Sequence, residues 1–324
     1  MTSCRLGVTC PTHCPHALPT ALPTRTAMST SLLLELLFNS VQLALTLYLV
    51  AVGVTLVFGV MNLVNLSQGS MFMLGGYFSA AAMDWTGSWV DGAAIGLVAV
   101  GVVGALIEFF VVRNLYHRNH LDQVLATFGL MLFFNEIVVI VWGREPLFLA
   151  TPPGLGGSIH LAPGFFYPAY RLAISGTALV AGLLLYLLIT RTRVGMLIRA
   201  GAEQRRLIEA FGVNIRLLYT LVFSLGALLA GLGGVMTAPL LPVQTGVGDS
   251  ILIEVLVVII IGGLGSLRGA LVASLSVGLF EVFGHLLLPI YLGPTTGNAL
   301  ASMSIYIAMA AVLVWRPTGL FRSI

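Results

Sequence analysis

Lysine is absent from this 324-residue chain, and all fifteen basic residues are arginine. A phosphate loop of the Walker A kind needs its lysine, and Schiff-base catalysis needs a lysine amine. Neither is encoded, so any ATP the protein uses must be bound by another chain. Charge of either sign is scarce: 8% of residues, against about 25% in an ordinary soluble domain. So few charges cannot cover a water-facing surface. With 58% of residues hydrophobic, lipid must be most of the solvent. Cysteine is confined to Cys4, Cys10 and Cys14, with His13 and His16 among them, a spacing that matches no strong zinc pattern. No metal or other cofactor is expected, and no nucleic acid among the partners. The apolar segments hold one histidine and no cysteine. That is too little for the convergent groups of an intramembrane enzyme.

What the chain does have is long, continuous apolar runs. Barrel strands would alternate polar and apolar residues, so helices are the way these runs cross. Nine candidates follow: Leu36 to Val60, Leu63 to Met83, Ala93 to Val112, Val124 to Trp142, Leu172 to Thr190, Leu217 to Leu240, the short Ile251 to Ile261, Ala270 to Leu288 and Leu300 to Trp315. The expected fold is an all-α polytopic integral membrane protein with about eight or nine transmembrane or re-entrant helices. Residues 1–30 are rich in Pro and Thr and lack the apolar core of a signal peptide. They read as a disordered or mis-called extension, with Met28 as a candidate start, and residues 31–324 form the membrane domain.

Arginine placement orients the spans. The richest loop, 191–216, carries Arg191, Arg193, Arg199, Arg205, Arg206 and Arg216 and is placed in the cytoplasm. Counting outward puts Arg113, Arg118, Arg268, Arg316 and the C-terminus on the same side. Asp84 to Asp91, Asp249 and the long loop Gly143 to Tyr170 fall outside. Arg144 and Arg171 are the exceptions. The N-terminus is outside if Leu63 to Met83 spans and inside if that segment is re-entrant.

Four segments carry chemistry. The first runs from Met61 to Ser70 and into Gly75-Gly76-Tyr77, with Asn62, Asn65, Gln68 and Ser70 in apolar surroundings. Such groups either line a translocation route or bond neighbouring helices that glycines let close. The second is Arg199 to Asn214, in which Leu207, Ala210 and Phe211 share one helical face and Gly212 offers a stop. It is either a docking contact for a soluble partner or an interfacial helix on anionic lipid. The third, Ile261 to Gly269, has four glycines around Arg268 and reads as a break between helices rather than a phosphate cradle. The fourth is a set of ionisable groups at depth: Glu108, Glu136, Glu254, Glu281 and His285. Glu281 and His285 are one helical turn apart, Glu108 sits near Arg113 at a span end where it can reach the interface, and Glu136 lies deep beside Asn135. They are either structural pairs or a proton relay.

The runs Asn62 to Gly76, Arg199 to Asn214, Phe223 to Gly234 and Gly262 to Gly269 together resemble the permease subunits of branched-chain amino acid importers of the first-permease type. Urea and short-chain amide permeases are close relatives of that family. The resemblance covers roughly Leu33 to Leu320. It implies a type II importer-like permease of an ATP-binding-cassette system in a bacterial inner membrane. Implied partners are two cytoplasmic ATP-binding subunits, a second permease chain (sister or identical) and a periplasmic substrate-binding protein, besides the lipid bilayer. Asn62, Asn65, Gln68, Ser70 and Glu136 would line the pathway. Arg199, Glu203, Arg205, Arg206, Glu209, Phe211 and Gly212 would form the segment that seats on an ATPase. The chain departs from the family at Gln204, where an acidic residue is common, and at Glu254, near which the family often carries a lysine. The rival expectations are a urea or amide permease, a proton-coupled secondary transporter working alone, and a structural scaffold.

Overall fold

The computed structural model describes residues 30–116, 118–162, 165–203, 212–317 and 319–321. Among them the chain is helical almost throughout, as a bilayer requires of backbone groups that have no water to bond. In order come α1 (Thr30–Met61), α2 (Gln68–Thr86) and α3 (Trp89–Ile107). A π-helical turn, Glu108–Val112, carries α3 on into Arg113–Leu115. Then follow α4 (His120–Trp142), the antiparallel hairpin β1 (Ser158–Ala162) and β2 (Phe165–Pro168), α5 (Ala169–Arg191) and α6 (Arg193–Glu203). The chain ends with α7 (Ile215–Thr237), α8 (Val247–Gly262), α9 (Leu267–Leu292) and α10 (Pro294–Trp315).

Seven of these helices are long and apolar enough to cross a membrane; α2, α6 and α8 are the others. The protein is therefore an all-α polytopic membrane protein. Each of the nine apolar runs falls on a helix, with one correction at the second. Residues 62–67 are not helical, and α2 begins only at Gln68. That break is tolerated because protein covers it: Leu63, Asn65 and Ser67 are buried.

Burial separates core from rim. The most apolar stretch of α1 is 78% buried, that of α10 only 17%. Around α1 pack α5, α7, α8 and α9, while α2 is held between α3, α7 and α8. Lipid tails are as apolar as leucine, so burying apolar area does not by itself draw these helices together, and close backbone approach must. Small residues supply it. A Cβ on Gly75 would lie 2.4 Å from the Gly231 carbonyl oxygen, and one on Gly69 would lie 2.3 Å from that of Gly248.

The two ends of the bundle are distinct. α5 has 23 residues, or about 34 Å at 1.5 Å per residue, and separates the β-hairpin from the arginine-rich segment. The start of α1 lies at the hairpin end, because Asn39 Oδ1 accepts from Tyr167 Oη at 3.0 Å and from Arg171 Nη1 at 2.5 Å. The start of α1 and the hairpin therefore share one side of the membrane. The Asn39 contact also gives Arg171, one of the two exceptions to the arginine pattern, a local structural partner.

The glycine-rich turn after α8 is a packing corner. Gly262 and Gly269 meet so closely that a Cβ on Gly269 would lie 2.0 Å from the Gly262 carbonyl oxygen. Ser266 Oγ accepts from Gly269 N and caps α9. The tail folds back over the same corner: Leu320 N donates to Ile261 O at 2.8 Å and Phe321 N to Gly262 O at 3.2 Å. These bonds satisfy carbonyls that a helix end otherwise leaves without partners. The turn is a break between α8 and α9.

Asn214 starts α7, its Oδ1 accepting from Arg216 N at 3.1 Å and Leu217 N at 3.3 Å. Asn214→Ala is expected to cost about 1 kcal/mol of stability and to lower the thermal midpoint of the purified protein. An unchanged midpoint would show that the cap contributes nothing.

Candidate functional site

The first polar segment resolves into a junction of three helices. α1 ends at Met61, and the next residue, Asn62, has a φ of +53°, a left-handed conformation that asparagine tolerates better than most residues. Asn62 itself is exposed. Asn65, Gln68 and Ser70 are sealed, at 0%, 0% and 1% exposure. Asn65 Oδ1 accepts from both the backbone N and the hydroxyl of Ser67, and Asn65 Nδ2 donates to Gln68 Oε1 at 3.2 Å. Gln68 Nε2 in turn donates to the Gly226 carbonyl on α7 at 2.5 Å. Gly53 on α1 faces the same point, where a Cβ would lie 2.7 Å from Gln68 Nε2 and 2.8 Å from Gly226 O. Glycines on both sides thus make room for one amide that ties α2 to α7. Gln68 thus makes the bond between helices, while Asn65 bonds only Ser67 and Gln68 within its own segment. Ser70 Oγ has no hydrogen-bond partner among the described residues.

Glu136 lies elsewhere. It is exposed on α4 and lines an open cleft of about 320 Å³ together with Asn135, Val139, Arg144, Thr245 and Gly246. The cleft exists because two chain segments are pinned side by side. Leu147 and Val243 exchange both backbone hydrogen bonds at 2.9 Å, holding the segment after α4 against the segment before α8. One further bond crosses the gap, from Asn135 Nδ2 to Asp249 Oδ2 at 2.9 Å. Asp249 stands in the first turn of α8, where the helix dipole favours a carboxylate. Asn135 Oδ1 and Asp249 Oδ1 are buried and make no hydrogen bond among the described residues. The five pathway residues read from sequence therefore do not converge: three form the wall of a junction, one is exposed at the α1 end, and one lines a separate cleft.

Glu108 requires a correction. From sequence it could reach the interface beside Arg113; in the structure it is fully buried. Tyr116 Oη and Thr220 Oγ1 donate to it, and Arg113 Nη2 lies 3.5 Å from its Oε2. The π turn explains the pairing. Its i→i+5 spacing brings residue 113 over residue 108, where an α-helix would bring residue 112. Arg113 also lies over the Phe109 ring at 4.6 Å. Burial first, and then the bond to Glu108, push the Tyr116 phenol well above its usual range, so Tyr116 stays a donor at physiological pH. The other ionisable groups at depth sit apart from this knot. Glu254 lies on α8 and Glu281 on α9, and His285 is exposed.

The arginine-rich segment is described in part. α6 presents Arg193, Met196, Arg199 and Ala200 outward, while Gly195, Ile198 and Gly201 are buried toward the bundle. A Cβ on Gly195 would lie 2.2 Å from the Ile189 carbonyl oxygen, which fixes α6 hard against the end of α5. Gly212, at φ +80°, lies two residues before the Asn214 cap of α7. Arg205, Arg206, Leu207, Glu209, Ala210 and Phe211 lie outside the described residues, and of Glu203 only the backbone is described.

Comparison with known proteins bears on all of this. The sequence profile for "Branched-chain amino acid transport system / permease component" matches residues 36–313. The chain is 25% identical over 301 residues to the high-affinity branched-chain amino acid transport system permease protein BraD of Pseudomonas aeruginosa, covering 89% of this chain and 95% of that one. It is 27% identical over 265 residues to the corresponding permease protein LivH of Escherichia coli K12, covering 76% and 84%. A probable branched-chain amino acid transport permease protein LivH of Methanocaldococcus jannaschii is 26% identical over 287 residues, covering 85% and 88%. No solved structure matches the chain significantly.

Proposed function

Because the chain belongs to the branched-chain amino acid transport system permease family, we propose that it is the membrane-spanning permease of an ATP-binding-cassette importer that moves branched-chain amino acids across a bacterial inner membrane. The observation that carries this reading is the family match over residues 36–313, nearly the whole helical body. The chain encodes no lysine and so no Walker A loop. In this reading two ATP-binding subunits sit in the cytoplasm, a second permease chain completes the channel, and a periplasmic binding protein delivers substrate. The arginine-rich end and the C-terminus are cytoplasmic, and the hairpin end faces outward.

No covalent chemistry is involved. The permease alternates between a state open outward and a state open inward, and ATP binding on the partner favours one of them through contacts made better in that state. The coupling contact is the segment from Arg199 through Glu203, Arg205, Arg206, Glu209 and Phe211 to Gly212. Two features support it: the outward face of α6 carries Arg193 and Arg199, and the buried Gly195 locks α6 to α5, so a push on this surface reaches a spanning helix. On the pathway side, Asn62 and Glu136 are exposed groups, and Asn65, Gln68 and Ser70 form the wall behind.

Reversing Arg205 and Arg206 to Glu in the assembled importer is expected to lower ATP-driven leucine uptake by roughly tenfold or more, since like charges across a docking contact cost several kcal/mol. Hydrolysis by the ATP-binding subunits should continue. Normal coupled uptake in that variant would remove the docking assignment.

A further inference from the structure

We infer that the cleft between the end of α4 and the start of α8 binds the zwitterion of a free α-amino acid, with Arg144 taking the carboxylate and Glu136 the ammonium. Arg144 is one of the two arginines that break the one-sided pattern, and, unlike Arg171, it makes no hydrogen bond or ion pair among the described residues. Glu136 makes none either. An exposed arginine and an exposed glutamate lining one cleft of about 320 Å³ match the size of small-ligand sites, roughly 300 Å³ and above. A guanidinium offers a planar fork that fits a carboxylate. An ammonium needs acceptors, and Glu136 and Thr245 supply them on opposite segments.

The neighbours sharpen the assignment. Asp249 Oδ2 takes the Asn135 amide N–H, which engages that carboxylate across the gap and leaves Glu136 as the carboxylate on the cleft lining. The lining contains one aliphatic side chain, Val139. The cleft therefore reads the charged end common to amino acids and is indifferent to the side chain. Its opposite charges suit a ligand that is itself neutral overall but dipolar; urea and simple amides carry neither charge and offer Arg144 a neutral carbonyl in place of a carboxylate. The site lies toward the hairpin end, as the Leu147–Val243 clamp beside it shows. It rests on the importer reading only for the direction of flow, in which it is the first contact for arriving substrate.

The test uses the full chain in membranes, with Cys4, Cys10 and Cys14 replaced by Ser and Val139→Cys, on the cleft lining, as the single thiol. Millimolar L-leucine should slow labelling of that thiol by a maleimide. 4-Methylpentanoate, which lacks the ammonium, and leucinamide, which lacks the carboxylate, should not. Arg144→Gln should weaken protection at least about tenfold, the worth of one charge-assisted hydrogen bond, and Arg144→Lys should restore part of it. Equal protection by either analogue, none by leucine, or full protection in Arg144→Gln overturns the site. Uptake assays on the same cells separate the two readings. Uptake of leucine without protection sinks the cleft and leaves the importer standing, and protection without uptake does the reverse.

Discussion

Gly234→Val is expected to eliminate folded protein from the membrane, and Gly234→Ala to reduce it severely. A Cβ at this position would lie 1.8 Å from the Phe72 carbonyl oxygen and 2.8 Å from the carbonyl carbon. Both are backbone atoms of α2, so no side chain can swing aside. The helices α2 and α7 would have to separate by more than an ångström. Such a shift would also open the Gly75–Gly231 contact and stretch the Gln68 bond to Gly226. Overpacking usually costs about 1–3 kcal/mol; here several contacts fail together, against a total stability of about 5–15 kcal/mol. Gly129→Ala and Gly176→Ala are the controls. Nothing lies within 4 Å of a Cβ at either site, and each should gain up to about 1 kcal/mol from better helix propensity. Yield of monodisperse protein and its thermal midpoint read the difference. A Gly234→Ala protein as abundant and stable as its parent would mean that α2 and α7 do not pack as described.

The second large effect is expected at Arg113. Arg113→Met should destabilise by about 3 kcal/mol, because it leaves the sealed Glu108 carboxylate without its counter-charge. Two hydroxyls, from Tyr116 and Thr220, would remain as its donors. Glu108→Gln should be milder, near 1 kcal/mol, since Arg113 is 27% exposed and can turn to water. The double variant should be more stable than Arg113→Met alone, because the stranded charge is gone. That ordering is the test: a double variant whose loss equals the sum of the two single losses would show that the groups do not interact. The comparison needs only thermal midpoints of the full chain, so it is independent of any transport assay.

Sequence made the spans legible because hydropathy is a local property. A run such as Val255 to Ile261 declares its solvent without reference to any neighbour, and arginine counts in loops give the ends of the bundle. What sequence could not supply was which polar group meets which. Gln68 finds its partner 158 residues away, at Gly226, and nothing in the run from Met61 to Ser70 singles that residue out. Glu136 stood out from the start, and Arg144 was marked only as an exception. The clamp between Leu147 and Val243, and the bond from Asn135 to Asp249 across 114 residues, turn those separate oddities into one cleft. Glu108 was misplaced for a different reason. Its burial depends on a π turn, which shifts the helical phase by one residue and is invisible in an apolar stretch like Glu108–Val112.

By itself, the sequence determined that this chain lives in lipid as helices, that it cannot bind ATP through a Walker A loop, and which family it resembles. Only the tertiary structure decided which glycines are contact points, that Gln68 bonds α2 to α7, and that the charges near α4 and α8 share a space. The physical reason is range. Solvation acts residue by residue and leaves its mark along the chain, whereas hydrogen bonds and close packing act over a few ångströms between segments that the chain itself keeps far apart.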